Sequence, residues 1–64
     1  MEINPLRIRA GLTQARLAAV LGVTQSVVAM WERGAAVPSA ERLPQIADAL
    51  NCTIDALYGR DESA

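Results

Sequence analysis

Two short helical patterns, Gln14–Leu21 and Gln25–Arg33, stand in direct succession near the centre of the chain, and each is preceded by a threonine and followed by a glycine. Threonine caps a helix N-terminus with its hydroxyl, and a glycine just beyond the last turn can take the left-handed conformation that ends a helix. Only a tight turn separates the two patterns, so the helices must cross at a steep angle. The rest of the chain then has to bury their inner faces.

The apolar residues of this stretch indicate which sides face inward. The narrow core face is predicted from helical spacing on both helices, with one residue in the turn between them; its members are Leu17, Ala18, Leu21, Val23, Val28 and Trp31. The opposite side of helix 25–33 carries Gln25, Ser26, Ala29, Met30 and Arg33. Lysine and glutamate would be usual on a merely solvated face, so this outer side is a candidate for recognition.

The remaining residues favour a compact all-α domain. With 64 residues, 52% of them hydrophobic and 20% charged, the chain can form one domain with one modest core. We expect five helices, at about 4–10, 14–21, 25–33, 44–50 and 54–58, with a frayed tail over 60–64. Asn4 is the expected N-cap of the first helix, whose buried stripe would be Ile3, Leu6 and Ala10.

The linker between the third and fourth helices also has a local interpretation. We expect a turn over residues 39–43 and a helix that begins at Pro44, because proline inside a helix removes a backbone hydrogen bond. Ile46, Ala47 and Leu50 would form the buried stripe of that helix, and Asn51 would end it in the left-handed conformation.

The charge is unevenly distributed. The formal net charge is −1, yet residues 1–34 hold four arginines against two glutamates, a balance of +2. Residues 35–64 hold two arginines against three aspartates and two glutamates, a balance of −3. All six cations are arginine, which suits bidentate contacts with phosphate or guanine. The weakly acidic net charge argues against indiscriminate binding to nucleic acid, although the first half of the chain is basic.

Several function classes are disfavoured by what the chain lacks. It has no histidine and a single cysteine, Cys52, which we expect to be a small buried apolar residue. We therefore expect no metal site and no cofactor within one chain. Ser26 and Ser39 have no neighbouring base to activate them, so we expect no enzyme activity. No apolar run is long enough for a membrane span, and we expect a soluble cytoplasmic protein associated with the nucleoid.

At this point the motifs match a known family. The stretch LTQARLAAVLGVTQSVVAMWERG, followed by VPSAERLPQIADAL and CTIDAL, resembles the Cro/C1-type helix-turn-helix domain of the XRE family, to which lambdoid phage repressors and Cro belong. The resemblance runs from about Leu6 to Leu57. It implies a five-helix, lambda-repressor-like DNA-binding domain, with double-stranded DNA as the partner.

The resemblance implies that helix 25–33 lies in the major groove, with its N-terminal residues at the base edges. Gln25 can then pair bidentately with adenine, and Ser26 can serve several bases. Ala29 and Met30 can contact thymine methyl groups. The alternative for Gln25 and Met30 is an ordinary solvated position.

Phosphate contacts are expected around this helix. Candidates are Gln14 at the N-terminus of the second helix, together with Arg9, Arg16 and Arg33. Each arginine could instead be a solvated surface charge. Ala35, Ala36 and Val37 occupy positions where the family usually places basic residues, so we expect weaker nonspecific binding and a less steep salt dependence.

Two further pairings are implied by the resemblance. Arg7 and Glu32 are expected to form an orienting salt bridge between the first and third helices. Ile54, Leu57 and Tyr58 are expected to form a homodimer interface that sets two third helices about 34 Å apart on a palindrome. The alternative is that these three residues only cover the core of one chain.

The leading hypothesis is therefore a sequence-specific transcriptional regulator that acts as a repressor. A second hypothesis is a protein-interaction module, for example the antitoxin of a toxin–antitoxin pair, which retains the fold and binds a protein partner through its acidic half.

Overall fold

The computed structural model describes residues 1–60 and is all-helical over that range. Five α-helices follow one another, with one 3₁₀ turn at Ala40–Arg42 before the fourth; they are α1 (Ile3–Arg9), α2 (Gln14–Leu21), α3 (Gln25–Glu32), α4 (Leu43–Leu50) and α5 (Ile54–Leu57). The all-α, five-helix fold class is thus confirmed. The tail was expected to fray over residues 60–64, of which 61–64 lie outside the described residues. The Arg60 N–H donates to the Asp55 carbonyl at 2.9 Å.

The central pair of helices is held by its caps. The Thr13 hydroxyl accepts from the Arg16 N–H at 3.0 Å, and the Thr24 hydroxyl accepts from the Val27 N–H at 3.3 Å. Gly22 ends α2 at φ +73°, a left-handed conformation in which a side chain would clash with its own backbone. The short connection between the helices therefore follows from local sequence.

One hydrophobic core joins the five helices. Trp31 is its largest member, and Leu17, Val28 and Ile46 are fully buried. The full set of buried apolar residues is Ile3, Leu6, Leu17, Ala18, Leu21, Val28, Trp31, Leu43, Ile46, Ala47, Leu50, Ala56 and Leu57. The predicted inner faces of α2, α3 and α4 are confirmed, whereas Val23 and Cys52 are only partly buried at the edge of the core.

Helix α1 differs from the expectation in two ways. It begins at Ile3, and Glu2 rather than Asn4 occupies the cap position, with no side-chain cap bond. The prediction that Asn4 caps the helix was wrong because the Asn4 amide donates instead to Glu32 on α3. Ala10 was expected in the buried stripe but is exposed, since the helix ends at Arg9.

Helix α4 begins one residue earlier than expected, at Leu43, and Pro44 sits in its first turn. The proline is tolerated there because the first N–H groups of a helix have no intrahelical acceptor. The preceding 3₁₀ turn is tied to α2 by Arg42, whose Nη1 donates to the Leu21 carbonyl at 2.7 Å. Asn51 takes the predicted left-handed conformation, with φ of 54°.

The N-terminus and α5 close the fold together. The Glu2 N–H donates to the Leu57 carbonyl at 2.7 Å, and the Leu57 side chain is fully buried. Within residues 1–60, none of the helices has the length and apolar character that crossing a membrane requires.

Candidate nucleic-acid interface

The outward side of α3 presents the residues that the sequence predicts for recognition. Gln25 and Ser26 at its N-terminus and Arg33 just beyond its C-terminus are exposed, while Ala29 and Met30 between them are half-buried. We call these five residues the recognition face. Helix α3 ends at Glu32, and Arg33 is its C-cap rather than its last helical residue.

Helix packing determines this orientation. Val28 and Trp31 lie on the other side of α3 and are buried in the core, so α3 cannot rotate without exposing them. Residues three and four apart share a face of an α-helix, which sets Gln25 and Ser26 in line with Ala29 and Met30. The recognition face is therefore a consequence of the core.

The Arg7–Glu32 salt bridge lies at the junction of α1 and α3. Arg7 Nε donates to Glu32 Oε2 at 2.6 Å, and Arg7 Nη2 donates to Oε1 at 3.3 Å. Both side chains are largely buried, at 12% and 7% exposure. Arg7 Nη1 also donates to the Leu12 carbonyl at 2.7 Å, so one guanidinium ties α1 to α3 and to the segment before α2.

Glu32 collects donors from three parts of the fold. In addition to Arg7, its Oε1 accepts from Asn4 Nδ2 at 2.9 Å and from Gln14 Nε2 at 3.0 Å. We call Asn4, Arg7, Gln14 and Glu32 the Glu32 cluster. Burial alone would raise the pKa of Glu32, but the hydrogen bonds from Arg7, Asn4 and Gln14 and the positive charge of Arg7 outweigh it, so that the pKa is lowered. The carboxylate is thus held in its charged form.

A further hydrogen bond connects this cluster to the recognition face. Gln25 Nε2 donates to Gln14 Oε1 at 3.4 Å, so the side chains of the first residues of α2 and α3 touch. The sequence predicts a phosphate contact for Gln14 and a base contact for Gln25, but it does not predict this link. The available signal was that both glutamines directly follow a capping threonine, which places each at the start of its helix.

Three of the four arginines in the first half of the chain are available on the surface. Arg9 on α1, Arg16 on α2 and Arg33 after α3 are all exposed, whereas Arg7 and Arg42 are engaged inside the fold. The sequence alone does not predict the role of Arg42. Gln14 is half-buried and committed to Glu32 and Gln25, so less of its side chain remains for a phosphate.

The loop after α3 folds back onto that helix. The N–H groups of Ala35 and Ala36 both donate to the Met30 carbonyl, at 2.9 and 3.3 Å. The loop contributes no charged side chain, and Val37 is 75% exposed. This is the segment in which the resemblance led us to expect basic residues.

The expected dimer residues have different environments. Leu57 is completely buried in the core of its own chain, so it offers no surface to a partner, contrary to its assignment from sequence. Ile54 and Tyr58 are 39% and 53% exposed. Of the three expected residues, Ile54 and Tyr58 are the two with surface available to a partner.

The part of the chain that the structure describes holds no group of three or more histidine, cysteine or acidic side chains placed to bind a metal ion.

Comparison with known proteins gives two matches. A family model described as Helix-turn-helix matches residues 6–57. The chain is also similar to the cryptic phage CTXphi transcriptional repressor RstR of Vibrio cholerae serotype O1, with 42% identity over 48 residues. That alignment covers 75% of this chain and 43% of the repressor, so the chain spans less than half the length of this curated relative. No solved structure matches the chain.

Proposed function

Because the chain belongs to the helix-turn-helix family, of the Cro/C1 or XRE type, we propose that it is a sequence-specific DNA-binding transcriptional regulator that acts as a repressor. The observation that carries this proposal is the recognition face, which is polar at the N-terminus of α3 and turned away from the core. In a helix-turn-helix protein this is the end of the recognition helix that meets base edges in the major groove.

The base contacts follow from the chemistry of that face. Gln25 has an amide that matches the N6 and N7 positions of adenine, and Ser26 can donate to or accept from several bases. Ala29 and Met30 supply apolar contact for thymine methyl groups. We therefore expect an A·T pair opposite Gln25 and a thymine close by.

Phosphate contacts come from the surrounding cations. Arg33 belongs to the recognition face, and Arg9 on α1 and Arg16 on α2 are exposed on the two helices that precede it. The N-terminus of α2 adds backbone N–H groups and Gln14. With an uncharged loop after α3 and a net charge of −1, the domain should bind DNA weakly as a monomer. Specific binding then depends on two copies binding together.

The proposed homodimer uses Ile54 and Tyr58. A two-fold axis at α5 would bring the same two side chains of both copies together and hold two α3 helices about 34 Å apart, matching a palindromic operator. We place this regulator in the cytoplasm, on the nucleoid, and expect it to need neither a cofactor nor an enzyme activity.

The similarity to a phage repressor supports repression rather than the antitoxin alternative. In that alternative the fold serves a protein partner, and its acidic half would be the contact surface. A stoichiometric protein that copurifies, together with no shift of any DNA, would favour the alternative.

The test is selection of binding sites from random double-stranded DNA at low salt, followed by measurement of the mass of the bound species. A short palindrome with an A·T pair in each half-site, bound by two chains, is expected. Failure to enrich any motif with the dimer present would overturn the proposal.

A further inference from the structure

In the Glu32 cluster, the charges of Glu32 and Arg7 determine which group donates and which accepts in each hydrogen bond. An ionised carboxylate only accepts hydrogen bonds, and an arginine only donates them. Glu32 lies against Arg7, so its two oxygens face donors, and any amide that contacts it must present its –NH₂ end. Gln14 does so, through Nε2 at 3.0 Å from Glu32 Oε1.

The orientation of the Gln14 amide in turn determines the orientation of the Gln25 amide. Once the –NH₂ of Gln14 points to Glu32, the Gln14 Oε1 is the end left for Gln25, and Gln25 must donate to it. The Nε2 of Gln25 then uses one of its two hydrogens inside the protein. What Gln25 can present to a ligand is its carbonyl oxygen and the second hydrogen of Nε2, side by side.

That pair of groups matches one purine better than the other. Adenine offers a donor at N6 and an acceptor at N7 in the major groove, which fit an amide oxygen and an amide hydrogen. Guanine offers two acceptors, O6 and N7, so the amide oxygen would face O6 without a hydrogen between them. If the Gln25 amide were reversed, with its oxygen bound by Gln14, its –NH₂ would face outward and suit guanine.

We propose that Glu32 is a positioning residue that acts through Gln14 to set the orientation of the Gln25 amide, and thereby favours adenine over guanine at the base pair that Gln25 meets. The inference rests on the proposed DNA-binding function and deepens it. Glu32 itself contacts no base: its role is exerted across two hydrogen bonds.

Replacing Glu32 with glutamine tests the orientation with little change in shape. In Glu32→Gln, the shorter bond from Arg7, at 2.6 Å from Nε, is expected to keep the remaining oxygen of residue 32, and the –NH₂ then takes the place of Oε1. The longer bond from Arg7 Nη2 is lost, and the Asn4 amide has to turn its oxygen toward residue 32. Gln14 then accepts from residue 32 with its oxygen, so its –NH₂ points to Gln25. The Gln25 oxygen accepts from that –NH₂ and so points inward. The direction of the whole chain of hydrogen bonds is reversed.

The experiment measures binding to the selected operator and to a matched operator with guanine in place of adenine opposite Gln25. The ratio of the two affinities is expected to fall by roughly tenfold in Glu32→Gln, since a bidentate base contact is of that order. In a Gln25→Ala background the same change at Glu32 should leave the ratio as it is. A purely structural role for Glu32 would weaken both operators equally, and an unchanged ratio in a folded variant overturns the proposal.

Two other variants separate the proposed effect on base preference from a general loss of stability. We call the hydrogen-bonded series Glu32, Gln14 and Gln25 the relay. Gln14→Met removes the middle amide of the relay and leaves the Glu32–Arg7 pair intact, so the ratio of the two affinities should fall, by less than in Glu32→Gln. If this ratio does not fall, the proposal is overturned even if Glu32→Gln does not fold. Arg42→Ala, which loses the bond to the Leu21 carbonyl away from the cluster, is the control for lowered stability and should keep the wild-type ratio.

A measurement without DNA separates this inference from the proposed function. In the free protein, the side-chain amide signals of Gln25 in ¹⁵N NMR spectra should shift in Glu32→Gln, although Glu32 and Gln25 share no direct hydrogen bond. Shifted signals with no selected DNA motif would support the relay and overturn the DNA-binding proposal. Unshifted signals would overturn the relay whether or not the chain binds DNA.

Discussion

At the scale of single residues, exposure separates side chains that look alike in the sequence. Arg7 and Arg9 stand two positions apart on α1, yet the first is buried in a salt bridge with Glu32 and the second is exposed. Gln14 and Gln25 are similarly divided, because Gln14 is half-buried between two partners and Gln25 is on the surface. A residue type alone therefore does not assign a role at this surface.

Gln25 and Arg16 should give different signatures on DNA. Gln25→Ala should cost about 1–3 kcal/mol on the selected operator and relax the preference at one base pair, because a bidentate base contact is lost. Arg16→Ala should weaken all sequences alike and reduce the salt slope by about 1, because a phosphate contact is lost. Affinity measured over a range of salt on operator and random DNA distinguishes the two; equal loss on all DNA in Gln25→Ala would contradict its assignment.

Glu32 should make stability depend on pH. Its pKa in the folded chain lies below the ordinary value of 4.5, since the donors and charge of its cluster outweigh the effect of burial. A carboxyl whose pKa is lowered on folding stabilises the protein above its unfolded pKa, and this contribution disappears as the pH falls through the folded pKa. The contribution is therefore complete at neutral pH and lost on acidification below 4.5.

Urea unfolding of the wild type and of Glu32→Gln at a series of pH values measures this effect. The difference in free energy of unfolding between the two should be largest near neutral pH and should shrink in acid. A difference that stays constant down to strongly acid pH would show that the charge of Glu32 does not contribute to stability.

At the scale of elements, each helix is too short to be stable alone, and its ends matter as much as its apolar stripe. Thr13, Thr24 and Thr53 each accept a backbone N–H from the first turn of the helix that follows. Their hydroxyls fix where α2, α3 and α5 begin. The start of α3 also determines where Gln25 stands, so the Thr24 cap positions the first residue of the recognition face as well as stabilising the helix.

Asn51 tests the importance of a helix end. It ends α4 at φ 54°, and its N–H donates to the Asp48 carbonyl at 3.2 Å. Asn51→Ala should lower the free energy of unfolding by about 1 kcal/mol, because the left-handed conformation is costly for a residue with an ordinary Cβ. The matched variant Asn51→Gly accepts that conformation and should lose less. Chemical denaturation checks both; equal losses would show that backbone conformation is not the cause.

At the scale of the whole molecule, charge and exposed apolar area are distributed unevenly. Arg9, Arg16 and Arg33 are exposed in the first half of the chain, which also holds the recognition face, whereas Glu41, Asp48 and Asp55 lie on the surface of the second half. Ile54 and Tyr58 provide exposed apolar surface at α5. A chain with this distribution is expected to approach DNA in one orientation and to need a second copy for affinity.

The dimer proposal predicts the effect of a charge at α5. Tyr58→Asp should shift the chain from dimer to monomer and weaken binding to the palindrome while leaving binding to a single half-site unchanged, because an unpaired charge would be buried at the interface. Analytical ultracentrifugation and binding to full and half operators measure both effects. Val20→Asp, at an exposed apolar residue on α2, is the control for the association state. A wild-type chain that is monomeric at high concentration and on the operator would contradict the proposal.

The sequence by itself determined the helical class, the positions of the capping threonines, the apolar stripes of α2, α3 and α4, and the left-handed end at Asn51. These features depend on neighbours within one or two turns, so spacing and residue type are sufficient to infer them. The resemblance to a family added the pairing of Arg7 with Glu32, which the structure contains.

Only the tertiary structure decided where the long-range partners are. Glu32 meets Asn4, Arg7 and Gln14 across 28, 25 and 18 positions of chain, Arg42 reaches the Leu21 carbonyl, and Leu57 lies in the core rather than on a dimer surface. Such contacts depend on how the helices cross, which apolar periodicity does not specify. A buried carboxylate takes whichever donors the packing brings to it, and here that packing connects Glu32 to the orientation of Gln25.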